Sequence, residues 1–150
     1  MASFLVAVGL TEEIGMNGNQ ITRAQALDLV RAAERDFAGQ NVPSILSGYA
    51  DDVVIRFADV PEVRGKEAAE RFLRARFARQ KNYRLSKFLR MIEGNMIGNY
   101  WDGEWEDART GRKMRGRGTE FWTVVAGKIA VWEATFNAWD AETGPIPAVL

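Results

Sequence analysis

An α+β fold, with three N-terminal helices packed on a curved, mainly antiparallel sheet that closes into a cone, is what this sequence predicts, and three observations predict it. Apolar residues recur at helical spacing between Thr22 and Lys81. From Tyr83 onward, β-branched and aromatic runs alternate with turn signals. The stretch from Met114 to Asn137, MRGRGTEFWTVVAGKIAVWEATFN, has two such runs joined by a tight Ala126-Gly127 turn, with no proline inside. Helices first and a long meander after place the helices on one face of a sheet that bends around them. A pocket inside the cone is the natural consequence.

The 150 residues are within the size of one ordinary domain, and a composition 47% hydrophobic and 27% charged is that of a globular chain. Basic and acidic residues number 20 each, so no net charge draws the chain toward nucleic acid or an anionic membrane, and neither is expected as a partner. The chain has no cysteine and no histidine. That excludes a disulfide framework, a Cys or His metal site, a thiol nucleophile and any Ser-His-Asp arrangement. General acid or base work falls to Asp, Glu, Lys or Tyr, no cofactor is implied, and a carboxylate-only site is the one metal option left.

Residues 1–20 read as an N-terminal extension, 21–140 as the folded domain and 141–150, with two prolines, as a tail. FLVAVGL, from Phe4 to Leu10, lacks a basic flank and is far short of a membrane span, so a cytoplasmic location is the default expectation. Thr22 and Gln25 form a capping box, and Leu27, Val30, Glu34 and Phe37 follow at helical spacing. Glu34 therefore lies within or beside the apolar stripe, which makes it a carboxylate to watch. Val42-Pro43-Ser44 opens a short second helix that ends near Gly48-Tyr49. Asp51-Asp52 turns the chain into a strand from Val53 to Phe57, ADVPEVRG is a loop, and a third helix runs from Lys66 to about Lys81. Its stripe of Ala69, Phe72, Leu73 and Phe77 is interrupted by Arg76, while Glu67 with Arg71 and Glu70 with Arg74 are i,i+4 pairs of a solvated face. Turn signals at Gly94-Asn95 and Arg109-Thr110-Gly111 divide the rest into four antiparallel strands, and RTGRKMRGRG reads as an exposed basic turn.

Period-2 alternation puts Glu120, Trp122 and Val124 on one face of the hairpin's first strand and Thr119, Phe121 and Thr123 on the other. A carboxylate sharing a buried face with a tryptophan would favour its protonated form and could act as an acid near neutral pH. On a wet face it would merely be solvated.

The order of elements, YADD before the first strand and GKIAVWEATFN on the return strand resemble the nuclear transport factor 2-like superfamily, which includes SnoaL-like cyclases, ketosteroid isomerases and limonene epoxide hydrolases. Tyr83-Arg84-Leu85 with Lys87 and Leu89, Gly94-Asn95 with Ile97, Glu104-Trp105, and Gly118 with Glu120 and Trp122 resemble a functionally unassigned SnoaL-like branch. The resemblance covers roughly Ile21 to Asp140 and implies the SnoaL-like, cystatin-like α+β barrel. It also implies a homodimer, for which the sheet's second face, with Tyr100 and Phe121, offers apolar surface. Position by position, the catalytic aspartate of ketosteroid isomerases falls on Phe57 and their tyrosine near Ala33, whereas their hydrogen-bonding acid falls on Glu120. The arginine and aspartates of the epoxide hydrolases fall near Trp101, Gly103 and Ala134, and the acidic positions of SnoaL-type enzymes on Ala134 and Asn137. The same mapping sends Ile55, Phe57, Trp101, Trp105, Trp122, Trp132 and Asn137 toward the interior with Glu120.

Two functional readings stand at this point. In the first, the cone is open, and cofactor-independent isomerisation, dehydration, cyclisation or hydrolysis of a small hydrophobic molecule is run by Glu120, with Glu34 or Asn137 as orienting partner and the aromatic side chains as walls. In the second, the tryptophans fill the cone, an arginine such as Arg56 or Arg117 neutralises Glu120, and the chain is a ligand-binding or dimerisation module without turnover.

Overall fold

Thr22 starts the first helix through two reciprocal bonds. Its hydroxyl accepts the Gln25 backbone N–H at 3.1 Å, and the Gln25 side chain accepts the Thr22 N–H at 2.9 Å, so α1 runs over Arg23–Ala38. The computed structural model describes residues 20–144, and the expected extension up to residue 19 and the tail beyond 144 lie outside the described residues. Helix α1 buries Ala26, Val30 and Phe37. The short α2 (Val42–Ser47) is capped by Asn41, carries Pro43 in its first turn and buries Val42 and Ile45. The third helix, α3 (Lys66–Ala78), buries Ala69, Leu73 and Phe77. It stops short of Lys81 because Gln80 already pairs with Asp107 in the sheet.

Seven strands form one mixed, mostly antiparallel sheet that curves around the helices. Strand β1 (Tyr49–Phe57) is flanked by β2 (Val63–Arg64) and, in parallel, by β6 (Lys128–Ala134). The meander β3 (Gln80–Glu93), β4 (Met96–Asp107), β5 (Lys113–Val125) and β6 is antiparallel throughout, as the turn signals predict. Ala126 and Gly127 have φ of 49° and 74°, the paired positive values that match a two-residue turn to the twist of its strands. Three expectations are corrected. β1 starts at Tyr49, with Asp51 and Asp52 inside an irregular stretch of its ladder; the expected loop holds β2; and the basic glycine-rich segment belongs largely to β5, with Arg115, Gly116, Arg117 and Gly118 in register with β4.

The return strand is interrupted after Ala134 and then resumes. After a break at Thr135-Phe136, β7 (Asn137–Asp140) pairs with β5 in unchanged register, Glu120 opposite Ala134 and Arg117 opposite Asn137. At the break the Thr119 N–H donates to the Thr135 hydroxyl at 2.9 Å, and the Thr135 carbonyl turns toward Gly118. A methyl group on Gly118 would collide with that carbonyl and lie 2.7 Å from the Trp101 indole nitrogen. On Gly98 it would meet the movable Met91 Cγ at 2.5 Å and the Phe121 ring edge at 3.2 Å. Gly118→Ala is therefore expected to lower the unfolding free energy by about 1–3 kcal/mol in urea denaturation, because backbone and a packed indole cannot yield. Gly98→Ala is expected to cost less, since a thioether side chain can move aside.

Candidate active site

Alternation on β5 sends Glu120 inward between Gly118 and Trp122, and Glu120 is 1% exposed. Its three polar neighbours come from three other strands. Lys87 Nζ on β3 donates to Oε1 at 2.6 Å, Asn99 Nδ2 on β4 donates to the same oxygen at 3.3 Å, and Trp132 Nε1 on β6 donates to Oε2 at 2.9 Å. Both carboxylate oxygens are thus engaged, as burial of a charged group requires. The Lys87 side chain is 4% exposed and its ammonium also faces the Phe37 and Trp122 rings at 5.4 and 5.5 Å. Burial pushes the Lys87 ammonium below the usual lysine range, and the Glu120 carboxylate opposes that displacement without cancelling it.

Glu34 acts one step removed. Strand β3 is the last of the sheet, and α1 covers it there; the half-buried Glu34 carboxylate accepts the Lys87 backbone N–H at 2.7 Å. It fixes the strand that carries the lysine rather than touching Glu120. Asn137 is exposed, contrary to its expected inward place. The reason is the same period of 2: Trp132, Ala134 and Phe136 share the inner face, so Asn137 opposite Arg117 must point outward. Phe136 takes the interior position, stacked on Trp101 at 5.4 Å and close to Phe57 at 5.3 Å. Arg56 and Arg117 do not neutralise Glu120 either. Arg56 pairs with Glu62 and Glu133, and Arg117 lies over Trp139. Lys87 neutralises Glu120, and its alternation with Tyr83 and Leu85 along β3 marks the inner face.

The interior is divided into three spaces. Leu29, Tyr49, Trp122, Lys87 and Glu120 border a cavity of about 60 Å³ between α1, α2 and the sheet. Behind Lys87 and Glu120 a void of about 10 Å³ touches Arg76, Tyr83 and Trp101. Beyond Arg76 a groove of about 410 Å³, walled by Phe57, Phe72, Trp105 and Phe136, opens between α3 and the sheet. Ile55, Phe57, Trp101, Trp105, Trp122 and Trp132 are all buried, but Ile55 borders none of these three spaces. The tryptophans fill much of the cone and leave an aromatic-lined remainder. Arg76 separates groove from core, its guanidinium 4.2 Å from the Phe57 ring centroid and 5.1 Å from that of Phe136. Burial lowers its pKa and raises those of Tyr49 and Tyr83. Among the described residues no group of three or more acidic side chains could hold a metal ion, and no helix is long and apolar enough to cross a membrane.

The fold is shared with solved structures of low sequence similarity. The chain is similar to a nuclear transport factor 2-like protein of unknown function from Burkholderia pseudomallei, with 18% identity, TM-score 0.68, and coverage of 75% of this chain and 91% of that one. It is also similar to an epoxide hydrolase of the limonene type from M. tuberculosis, with 15% identity, TM-score 0.60, and coverage of 76% and 84%. A third is the epoxide hydrolase/cyclase-like enzyme SalBIII, with a role in pyran ring formation in the polyether salinomycin, at 11% identity, TM-score 0.69, and coverage of 78% and 96%. These likenesses establish the fold alone. No curated protein matches the sequence. Residues 19–143 match the family described as "Protein of unknown function (DUF1348)", and the chain belongs to that family, with the fold of the nuclear transport factor 2-like, SnoaL-like proteins.

Proposed function

We propose that the protein is a cofactor-independent acid/base enzyme of the isomerase, dehydratase, cyclase or hydrolase type, acting on a small hydrophobic molecule. The observation that carries this reading is the Lys87–Glu120 pair, 2.6 Å apart and almost fully buried, at the wall of an aromatic-lined cavity. A buried ion pair contributes little net stability, and an apolar pair of the same size would serve the core as well. A carboxylate and an ammonium at that separation can exchange a proton, and burial has already brought the ammonium closer to releasing one. Glu120 would take or give the proton at the reacting atom, Lys87 would balance the charge, and Glu34 would position Lys87 through its backbone. The fold relatives include proteins described as epoxide hydrolases and cyclases, which supports chemistry of this class. Turnover should appear in a screen of small ring-containing ketones and epoxides and be abolished in Glu120→Gln; undiminished turnover in that variant would remove Glu120 from the mechanism.

A second reading, a pairing module, has its own observation. On the outer face of the sheet Phe88, Met91 and Phe121 are 44%, 45% and 41% exposed, and Phe88 lies 6.1 Å from Tyr100. The strand register sets Met91, Gly98 and Phe121 in one row and Phe88 and Tyr100 in the next, so the patch is contiguous. A second copy of this chain is the proposed cover. Sedimentation should give a dimer for the wild type and a monomer for Phe121→Arg; a wild type that sediments as a monomer would end this reading.

A further inference from the structure

Arg76 is the arginine of α3 that the helix's own charge pattern leaves without a counter-ion. Arg71 pairs with Glu67 at 2.6 Å, Arg74 with Glu70 at 2.7 Å, and Arg79, just past the helix, with Asp107 at 2.6 Å. Arg76 has no carboxylate oxygen within 4.0 Å among the described residues. It lies one turn from Leu73 on the inward stripe, so its guanidinium sits on the Phe57 and Phe136 rings, with the Tyr83 hydroxyl as its polar neighbour. Aromatic faces and a hydroxyl stabilise a guanidinium only in part, and Arg76, half-buried where it lines the open groove, has no protein anion to displace before it can meet one that enters there. The carboxylate whose field reaches it is Glu120, and that group is already engaged by Lys87, Asn99 and Trp132.

We infer that the groove beyond Arg76 is the binding site of a hydrophobic monocarboxylate, its carboxylate on the Arg76 guanidinium and its ring body against Phe57, Phe72, Trp105 and Phe136. The groove's volume of about 410 Å³ is of the size that takes a small ring system, and its walls are mainly aromatic. One guanidinium with two forked N–H donors matches a carboxylate. A phosphate dianion would need a second free cation, whereas Arg79 and Lys87 are both taken, and it would be repelled by Glu120. A neutral hydrocarbon would leave the guanidinium uncompensated. This names the substrate class of the proposed reaction, and only that identification rests on the acid/base reading, because Arg76 stands between the groove and the void beside Glu120.

The test compares 2-naphthoate with 2-naphthalenemethanol, which has the same ring body and no charge, by titration calorimetry on the full chain. The wild type is expected to bind the acid at least tenfold more tightly than the alcohol, the order of advantage that a charge-assisted bidentate contact gives. Arg76→Met is expected to lose that preference while keeping its affinity for the alcohol. Equal affinities in the wild type, an undiminished preference in Arg76→Met, or no saturable binding of the acid would each overturn the site. The wild-type comparison needs no variant, so a failure of Arg76→Met to fold leaves the inference testable. The titration needs no turnover either, so an inert Glu120 would leave this site standing, and loss of the site would leave Glu120 standing.

Discussion

Glu120→Gln is expected to lower the unfolding free energy by about 3–5 kcal/mol at neutral pH, the usual consequence of removing one member of a buried ion pair. With a typical domain stability of about 5–15 kcal/mol, that brings the protein near its threshold. The loss comes mainly from what remains. Lys87 keeps its ammonium in the core with the Phe37 and Trp122 rings and no bonded carboxylate, Glu34 reaching it only through its field. Glutamine has one acceptor oxygen where the carboxylate has two, so it can serve Trp132 or the Asn99 side but not both, and a hydrogen bond is lost along with the charge. Adding Lys87→Met removes the stranded cation at similar length, and the double variant is expected to regain more than half of the deficit in urea titration. The pH dependence follows from Lys87. Its folded pKa is already below its ordinary value of 10.5, and Glu120 is a group that holds it up. Without Glu120 it falls further, so between the folded pKa and 10.5 the unfolded chain binds more protons than the native one. Stability of Glu120→Gln must then rise with pH across that window and be lowest beneath it. A deficit unchanged between neutral pH and about pH 9.5, or a double variant no more stable than the single, would show that the pair is not the source.

Much of this site was legible from alternation alone, and its omissions have physical causes. Glu120 was placed beside Trp122 by a period of 2, and the same rule applied to Tyr83, Leu85 and Lys87 would have supplied the counter-ion. Lysine on a strand reads as surface because a free ammonium belongs in water, and the exception depends on a partner thirty-three residues away. Asn137 shows the converse error. A family correspondence put it inward, although five residues after an inward Trp132 the pleat can only point it out. Arg76 was visible as a break in an apolar stripe, but helical spacing cannot tell an arginine that runs out along the surface from one that lies across the rings of Phe57 and Phe136 at the wall of a groove. Helix α1 was legible because Thr22 and Gln25 cap it locally, whereas β2, two residues long, exists only because β1 pairs with it. Nothing in the segment itself specifies that.

Turnover by the double variant Lys87→Met/Glu120→Gln is expected to stay at least a hundredfold below wild type, within the range of about 10²–10⁴ that a positioned general acid or base contributes. Glu120→Gln alone could lose activity merely by unfolding, so its rate does not separate a catalytic role from a structural one. In the double variant the stranded charge is gone and the core is restored, yet no group at this position can exchange a proton. If Glu120 only held the cone together, activity would return with stability; if it moves a proton, stability returns and activity does not. Glu34→Gln makes the complementary case, since its amide oxygen can still accept the Lys87 backbone N–H and β3 stays in place. That variant should retain most of its kcat, because Glu34 positions Lys87 through the backbone and touches neither the cavity nor Glu120. A fall in kcat as deep as that of the Glu120 double variant would make Glu34 a proton carrier in its own right. The comparison is made on single-turnover rates with the folded fraction measured in the same samples.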